Sequence, residues 1–163
     1  MSGRVSAGLL VYRRRDRGVE VLLVHPGGPF WRNREDGAWS VPKGEPREGE
    51  DWLASARREL GEETGFMPEG PFIRLAPVRQ PGGKTIHAWM VEADWDPARL
   101  TSDMFSMEWP PRSGRMQSFP EVDRAEWSEI GQAKRKILRG QIGLLEQLEQ
   151  TCMPHADDRP IDR

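Results

Sequence analysis

This sequence predicts a mixed α/β domain, and three observations predict it. Two apolar, β-branched runs, residues 5–12 and 19–25, flank a charged turn. One amphipathic helical stretch follows at 51–64, and further strand-like runs come after it with no strand–helix–strand repeat, so the sheet is expected to be mixed. The 163 residues suit a single domain with a full core. That domain is placed at residues 1–152, and the stretch 153–163, with Pro154, Pro160 and two aspartates, is expected to be a flexible tail.

Taken in order, the first two runs form a hairpin around Arg13-Arg14-Arg15-Asp16-Arg17-Gly18, and an arginine cluster on such a tip reads as solvated surface. Arg4, at the head of the first strand, is the better candidate for reaching a substrate phosphate. Residues 26–37 are dense in glycine, proline and polar groups, hence a loop. Phe30 and Trp31 inside it have two readings, stacking a nucleobase or filling a gap against the core. Ala38 to Gly44 reads as a short strand that delivers Lys43, a point cation suited to a phosphate oxygen.

Beyond the helix, 72–80 and 84–95 read as two strands joined at Pro81-Gly82-Gly83, with Lys84 at the head of the second and His87 as a structural residue within it. The stretch 96–120 is long, proline-bearing and weakly periodic, which in a compact domain marks a functional or mobile loop. Trp109, Arg112 and Arg115 within it are candidates for a base and phosphate clamp, against the plainer reading of a surface crossing. Residues 121–127 read as the last strand, Ser128 offers an N-cap, and 129–138 and 141–150 carry Ile130, Ala133, Ile137, Leu144, Leu145 and Leu148 at helical spacing. These helices would cover the sheet.

A net charge of −2 with no basic block argues against a nucleic-acid polymer as the main partner. The lone Cys152 excludes an internal disulfide framework and points to a reducing compartment. With neither a signal peptide nor a membrane-spanning run, a cytoplasmic protein, monomer or homodimer, is expected.

The densest chemistry lies in 44–66. At about 100° per residue, Glu59, Glu62 and Glu63 share one helix face beside the apolar stripe of Leu53, Ala56 and Leu60. Two like charges about 4 Å apart repel by roughly 4 kcal/mol at an effective dielectric near 20, so three half-buried carboxylates require a cation. Carboxylate oxygens suit a hard divalent ion, Mg²⁺ or Mn²⁺, and not zinc. Arg58 stands i, i+4 from Glu62 and can hold the glutamates in place. Gly65 is placed as the helix C-cap, and Gly44 allows a sharp turn; Gly61, inside the helix, has no account beyond close packing.

The spacing of Gly44, Glu50, Arg58-Glu59-Leu60, Glu62-Glu63 and Gly65-Phe66 resembles the signature of the Nudix hydrolases at every specified position. That resemblance covers most of the chain and implies an α/β/α sandwich about a mixed β-sheet, and metal-dependent hydrolysis of a nucleoside diphosphate-linked small molecule. By position it implies Glu59, Glu62 and Glu63 as metal ligands or base, Gly44 offering its carbonyl, and Glu121 as the family's separate glutamate near the last strand. Lys43, Lys84 and Arg115 would hold the anion. Trp39 to Gly44 together with Lys84 to Trp89 is similar to the diadenosine tetraphosphate hydrolases, while the insert through Trp109 to Arg115 and the missing tyrosine after Lys84 depart from them. The alternatives are a diphosphoinositol or sugar-nucleotide pyrophosphohydrolase and a non-catalytic nucleotide sensor.

Overall fold

The alternation along the first two strands sorts their side chains onto two faces of one sheet. In the computed structural model, which describes residues 4–152, Leu9, Val11, Leu22 and Val24 enter one buried cluster and Leu10, Tyr12, Val21 and Leu23 the other. The two strands are β1 (Val5–Arg15) and β2 (Gly18–Pro26), antiparallel as the charged turn predicts. The expected tail at 153–163 lies outside the described residues.

The remaining elements are β3 (Lys43–Gly44), α1 (Trp52–Thr64), β4 (Ile73–Arg74), β5 (Val78–Arg79), β6 (Thr85–Glu92), β7 (Met104–Glu108), β8 (Met116–Pro120), β9 (Val122–Glu129), α2 (Ile130–Lys136) and α3 (Ile142–Cys152). The main sheet runs β4-β6-β1-β2-β9, with β3 pairing β1 and β5 pairing β6. β1 and β6 are parallel and the other pairs antiparallel, so the sheet is mixed. Ala56 and Leu60 of α1 pack on one face; Ile130 and Ala133 of α2 and Leu144, Leu145 and Leu148 of α3 pack on the other. This is an α/β/α sandwich.

Four expectations need correction. The run 38–44 is not a continuous strand: Ser40 bridges Val24, and only Lys43 and Gly44 pair with β1. The buried Gln141 side chain takes over there, accepting from the Val41 backbone N–H at 3.0 Å and donating to the Ser40 hydroxyl at 3.0 Å. The run 72–80 breaks into β4 and β5, because Pro77 has no N–H for a ladder. Ser128 is buried inside β9; Glu129 takes the N-cap place without a side-chain bond, and α2 stops at Lys136. Finally, 96–120 is not irregular. After a short 3-10 turn at Pro97–Arg99 it forms the separate β7-β8 hairpin, whose Phe105 and Phe119 rings lie 6.0 Å apart. Methionines at 104, 107 and 116, placed on both sides of that ribbon, hide its alternation in the sequence.

Candidate active site

Helix α1 begins where the Asp51 side chain accepts from Ala54 N–H at 3.1 Å, and ends at Gly65 in the left-handed region with φ 82°. Its buried stripe fixes its rotation, and that rotation turns Arg58, Glu59, Glu62 and Glu63 toward the segment 43–50. Arg58 organises the group. Its Nε and Nη2 donate to the two Glu50 oxygens at 2.8 and 2.9 Å, and its Nη1 donates to Glu59 at 3.0 Å and Glu62 at 3.1 Å. These bonds, Glu50 first, hold the guanidinium further toward its charged form and draw the Glu50 carboxyl down to about 2. Glu50 is a residue for which sequence reasoning assigned no role, although the signature contains it.

Gly44 is pressed against this group, and a Cβ there would overlap the Glu59 carboxyl. Next to it the Lys43 N–H donates to Glu63 Oε2 at 3.2 Å. Burial, and then the Glu59 charge, push the Glu63 carboxyl up to about 8, against the opposing pull of Lys43. Burial likewise raises Glu59 and Glu121, and Glu121 is raised further by the charges of Glu59 and Asp103. The Lys43 ammonium is pushed down by burial and by Lys84. Lys43, Glu63 and Glu121 line a cavity of about 200 Å³ together with Trp31, Val41 and Leu138.

Glu121 reaches the cavity from the short link between β8 and β9. Its N–H donates to the Asp103 carbonyl at 2.8 Å, and the Asp103 N–H donates to the Glu62 carbonyl at 2.8 Å, so the base of the hairpin is tied to the end of α1. Asp103 was missed because nothing in sequence places residue 103 beside residue 121. Lys84 pairs with Glu45 at 3.6 Å in the loop after β3, and Arg4, exposed, adjoins it through a backbone bond from Thr85 to the Arg4 carbonyl. Arg4, Lys84, Trp109 and Arg115 do not line the cavity. Trp109 meets the exposed Phe30 edge-on at 5.4 Å, and Arg112 and Arg115 are exposed in the hairpin turn. His87 lies against Trp52 with ring centroids 4.3 Å apart and the planes tilted by 39°.

Among the described residues no three His, Cys, Asp or Glu side chains converge as a preformed metal shell; Arg58 is what Glu59 and Glu62 converge on. The donor set is nevertheless all oxygen, and Glu59, Glu63 and Glu121 are all raised, by burial first and, at Glu63 and Glu121, next by the Glu59 charge. A hard divalent cation fits that chemistry.

A family profile described as NUDIX domain matches residues 3–148. The chain belongs to the Nudix family. The RNA pyrophosphohydrolase of Caulobacter vibrioides is 46% identical over 52 residues, 29% of this chain and 30% of the relative. Nudix hydrolase 7 of Arabidopsis thaliana is 34% identical over 76 residues, 47% of this chain and 25% of the relative. The matches therefore span less than a third of either relative's length. Among solved structures, the C. elegans Ap4A hydrolase binary complex superposes with a TM-score of 0.61 at 22% identity, covering 90% of this chain and 96% of that one. The NUDIX domain of Shewanella oneidensis NrtR complexed with ADP ribose gives 0.64 at 16%, covering 93% and 89%. At such identities the structures establish the Nudix fold alone. No helix among the described residues is long and apolar enough to cross a membrane.

Proposed function

We propose that this Nudix protein hydrolyses a phosphoanhydride bond in a nucleoside diphosphate-linked substrate, with a nucleoside or dinucleoside polyphosphate as the preferred class. The observation that supports it most is the cavity where Lys43, Glu63 and Glu121 meet, beside carboxylates held in place by Arg58. Glu59, Glu62, Glu63 and Glu121, with the Gly44 carbonyl, would hold Mg²⁺ or Mn²⁺. When bound, the ion neutralises phosphate charge and lowers the pKa of water.

The protein's own part is positioning. Lys43 and Lys84 bind the polyphosphate oxygens, and Arg4 and Arg115 add to them in the outer field. Arg58 keeps Glu59 and Glu62 at a constant separation. Glu121, which Arg58 does not engage, takes the proton of the attacking water, whereas Glu59, the other candidate, has an oxygen already bonded to Arg58. Trp31 supplies a flat apolar wall for a base, and Trp109 reaches it through Phe30.

The test is a release assay across dinucleoside polyphosphates, nucleoside triphosphates, sugar nucleotides and diphosphoinositols, with Mg²⁺ and Mn²⁺. Turnover of at least one class that Glu63→Gln abolishes is expected; near wild-type turnover in Glu63→Gln would refute the carboxylate role. The likeness to the NrtR domain keeps a second reading in view, a nucleotide sensor. It predicts tight ADP-ribose binding by calorimetry with no product formed.

A further inference from the structure

We propose that His25 is a positioning residue that locks two walls of the cavity, Glu121 and the Trp31 loop, into one fixed relation. The ring is fully buried, yet both nitrogens are engaged. Nε2 lies 2.7 Å from the Arg34 carbonyl, which only accepts, so Nε2 donates. Nδ1 lies 2.7 Å from Asp123 Oδ1. The ring's edge packs against Trp39, with centroids 5.1 Å apart.

Each partner belongs to a segment that shapes the same cavity. Asp123 is the extra residue of a bulge: His25 pairs with Arg124 and Pro26 with Val122, which leaves Asp123 unpaired on β9. A bulge re-aims the chain beside it, and the residue re-aimed here is Glu121, two positions away. The register beyond the bulge is sealed by Gly27, whose N–H donates to the Glu121 carbonyl at 2.9 Å and whose missing Cβ leaves room for the Pro120 carbonyl. Arg34 closes a turn on Trp31, its N–H donating to the Trp31 carbonyl at 3.0 Å, and Trp31 and Glu121 line the same cavity. The nearest competing cation, Arg124, is 3.9 Å from Asp123 Oδ1 and has its short bond with Glu35 instead. One imidazole thus ties β2, the bulge and the loop together. An ordinary core histidine would be satisfied within its own packing layer.

The kinetic arm of the test rests on the hydrolase reading, and the exchange arm does not. In hydrogen exchange on the full chain, His25→Asn is expected to raise exchange in 27–37 and 116–124 while α1 and β1 keep their protection. Asp123→Ala, at the partly exposed partner, should do the same in 116–124 and serves if His25→Asn does not fold. With diadenosine tetraphosphate and Mg²⁺, His25→Asn is expected to lower kcat and raise KM by about tenfold each, on the scale of lost outer-shell support. In a Glu121→Gln background it should add almost no further loss in kcat while still raising KM, and Asp123→Asn, which keeps a polar atom facing Nδ1, should recover most of the loss in Asp123→Ala. Uniform loss of protection across the sheet, or a kcat loss that multiplies in full with Glu121→Gln, would overturn the proposal. If the wild type turns over none of the probes, the hydrolase reading fails and the exchange pattern alone decides the role of His25.

Discussion

Gly44 lacks a side chain because the Glu59 carboxyl fills the space a Cβ would need. Gly44→Ala is therefore expected to displace Glu59 and lower kcat by about 100-fold, the cost of a catalytic group shifted by roughly an ångström. A thermal melt showing the fold intact would separate this from unfolding. Gly61 behaves differently: a Cβ there meets only the Met67 sulfur, 2.8 Å away, at the end of an exposed and flexible side chain. The close packing the sequence suggested is present, with Met67 as the neighbour. Gly61→Ala should stabilise the protein by about 0.5–1 kcal/mol in urea denaturation through helix propensity. Glu63 sets a pH dependence. Its carboxyl is raised from 4.5 to about 8 by burial, so its contribution to stability is complete below pH 4.5 and is lost as pH rises through 8. A bound divalent cation offsets the charge that appears. Mg²⁺ should therefore raise Tm more at about pH 9 than at about pH 6, and Glu63→Gln should remove that difference.

Among the elements, the β7-β8 hairpin has two ends with different tasks. Its base is bonded to α1 through Asp103 and leads directly into Glu121, whereas its turn holds Trp109 half-buried against Phe30 and carries Arg112 and Arg115 into solvent. Replacing residues 109–115 with a two-residue turn should leave kcat within about twofold, because Glu121 keeps its anchors, and should raise KM if Trp109 and Arg115 bind substrate. An unchanged KM would remove both residues from the binding site. A two-stranded ribbon is only marginally stable alone, so this element is held on the body by Phe105 against Gly28, Trp109 against Phe30 and the Asp103 bond to α1.

At the scale of the whole molecule, a single sheet is covered by α1 on one face and by α2 and α3 on the other, and the two buried clusters share no side chain. Leu60 and Leu144 are both fully buried, one in each cluster. Leu60→Ala and Leu144→Ala should each cost about 2–5 kcal/mol. Their effects should add within about 0.5 kcal/mol in the double variant, since the sites have no shared partner. Only the first should also impair activity, because Leu60 sets the rotation of the helix that bears the glutamates.

The sequence by itself determined the hairpin, the mixed sheet and the helix with its C-cap and carboxylates, because these follow from local period and capping chemistry, and the sandwich came through the family resemblance that the motif's spacing carries. It also placed Arg58 against Glu62, a pair one helical turn apart. Only the tertiary structure decided the partners that lie far apart along the chain: Glu50 beneath Arg58, Asp103 beside Glu121, Gln141 standing in for a strand at 40–41, and His25 joining Arg34 to Asp123. Such contacts depend on strand order and on one bulge in β9, and no local pattern encodes either, since a pairing register is chosen by the burial of whole faces and not by the residues that meet there.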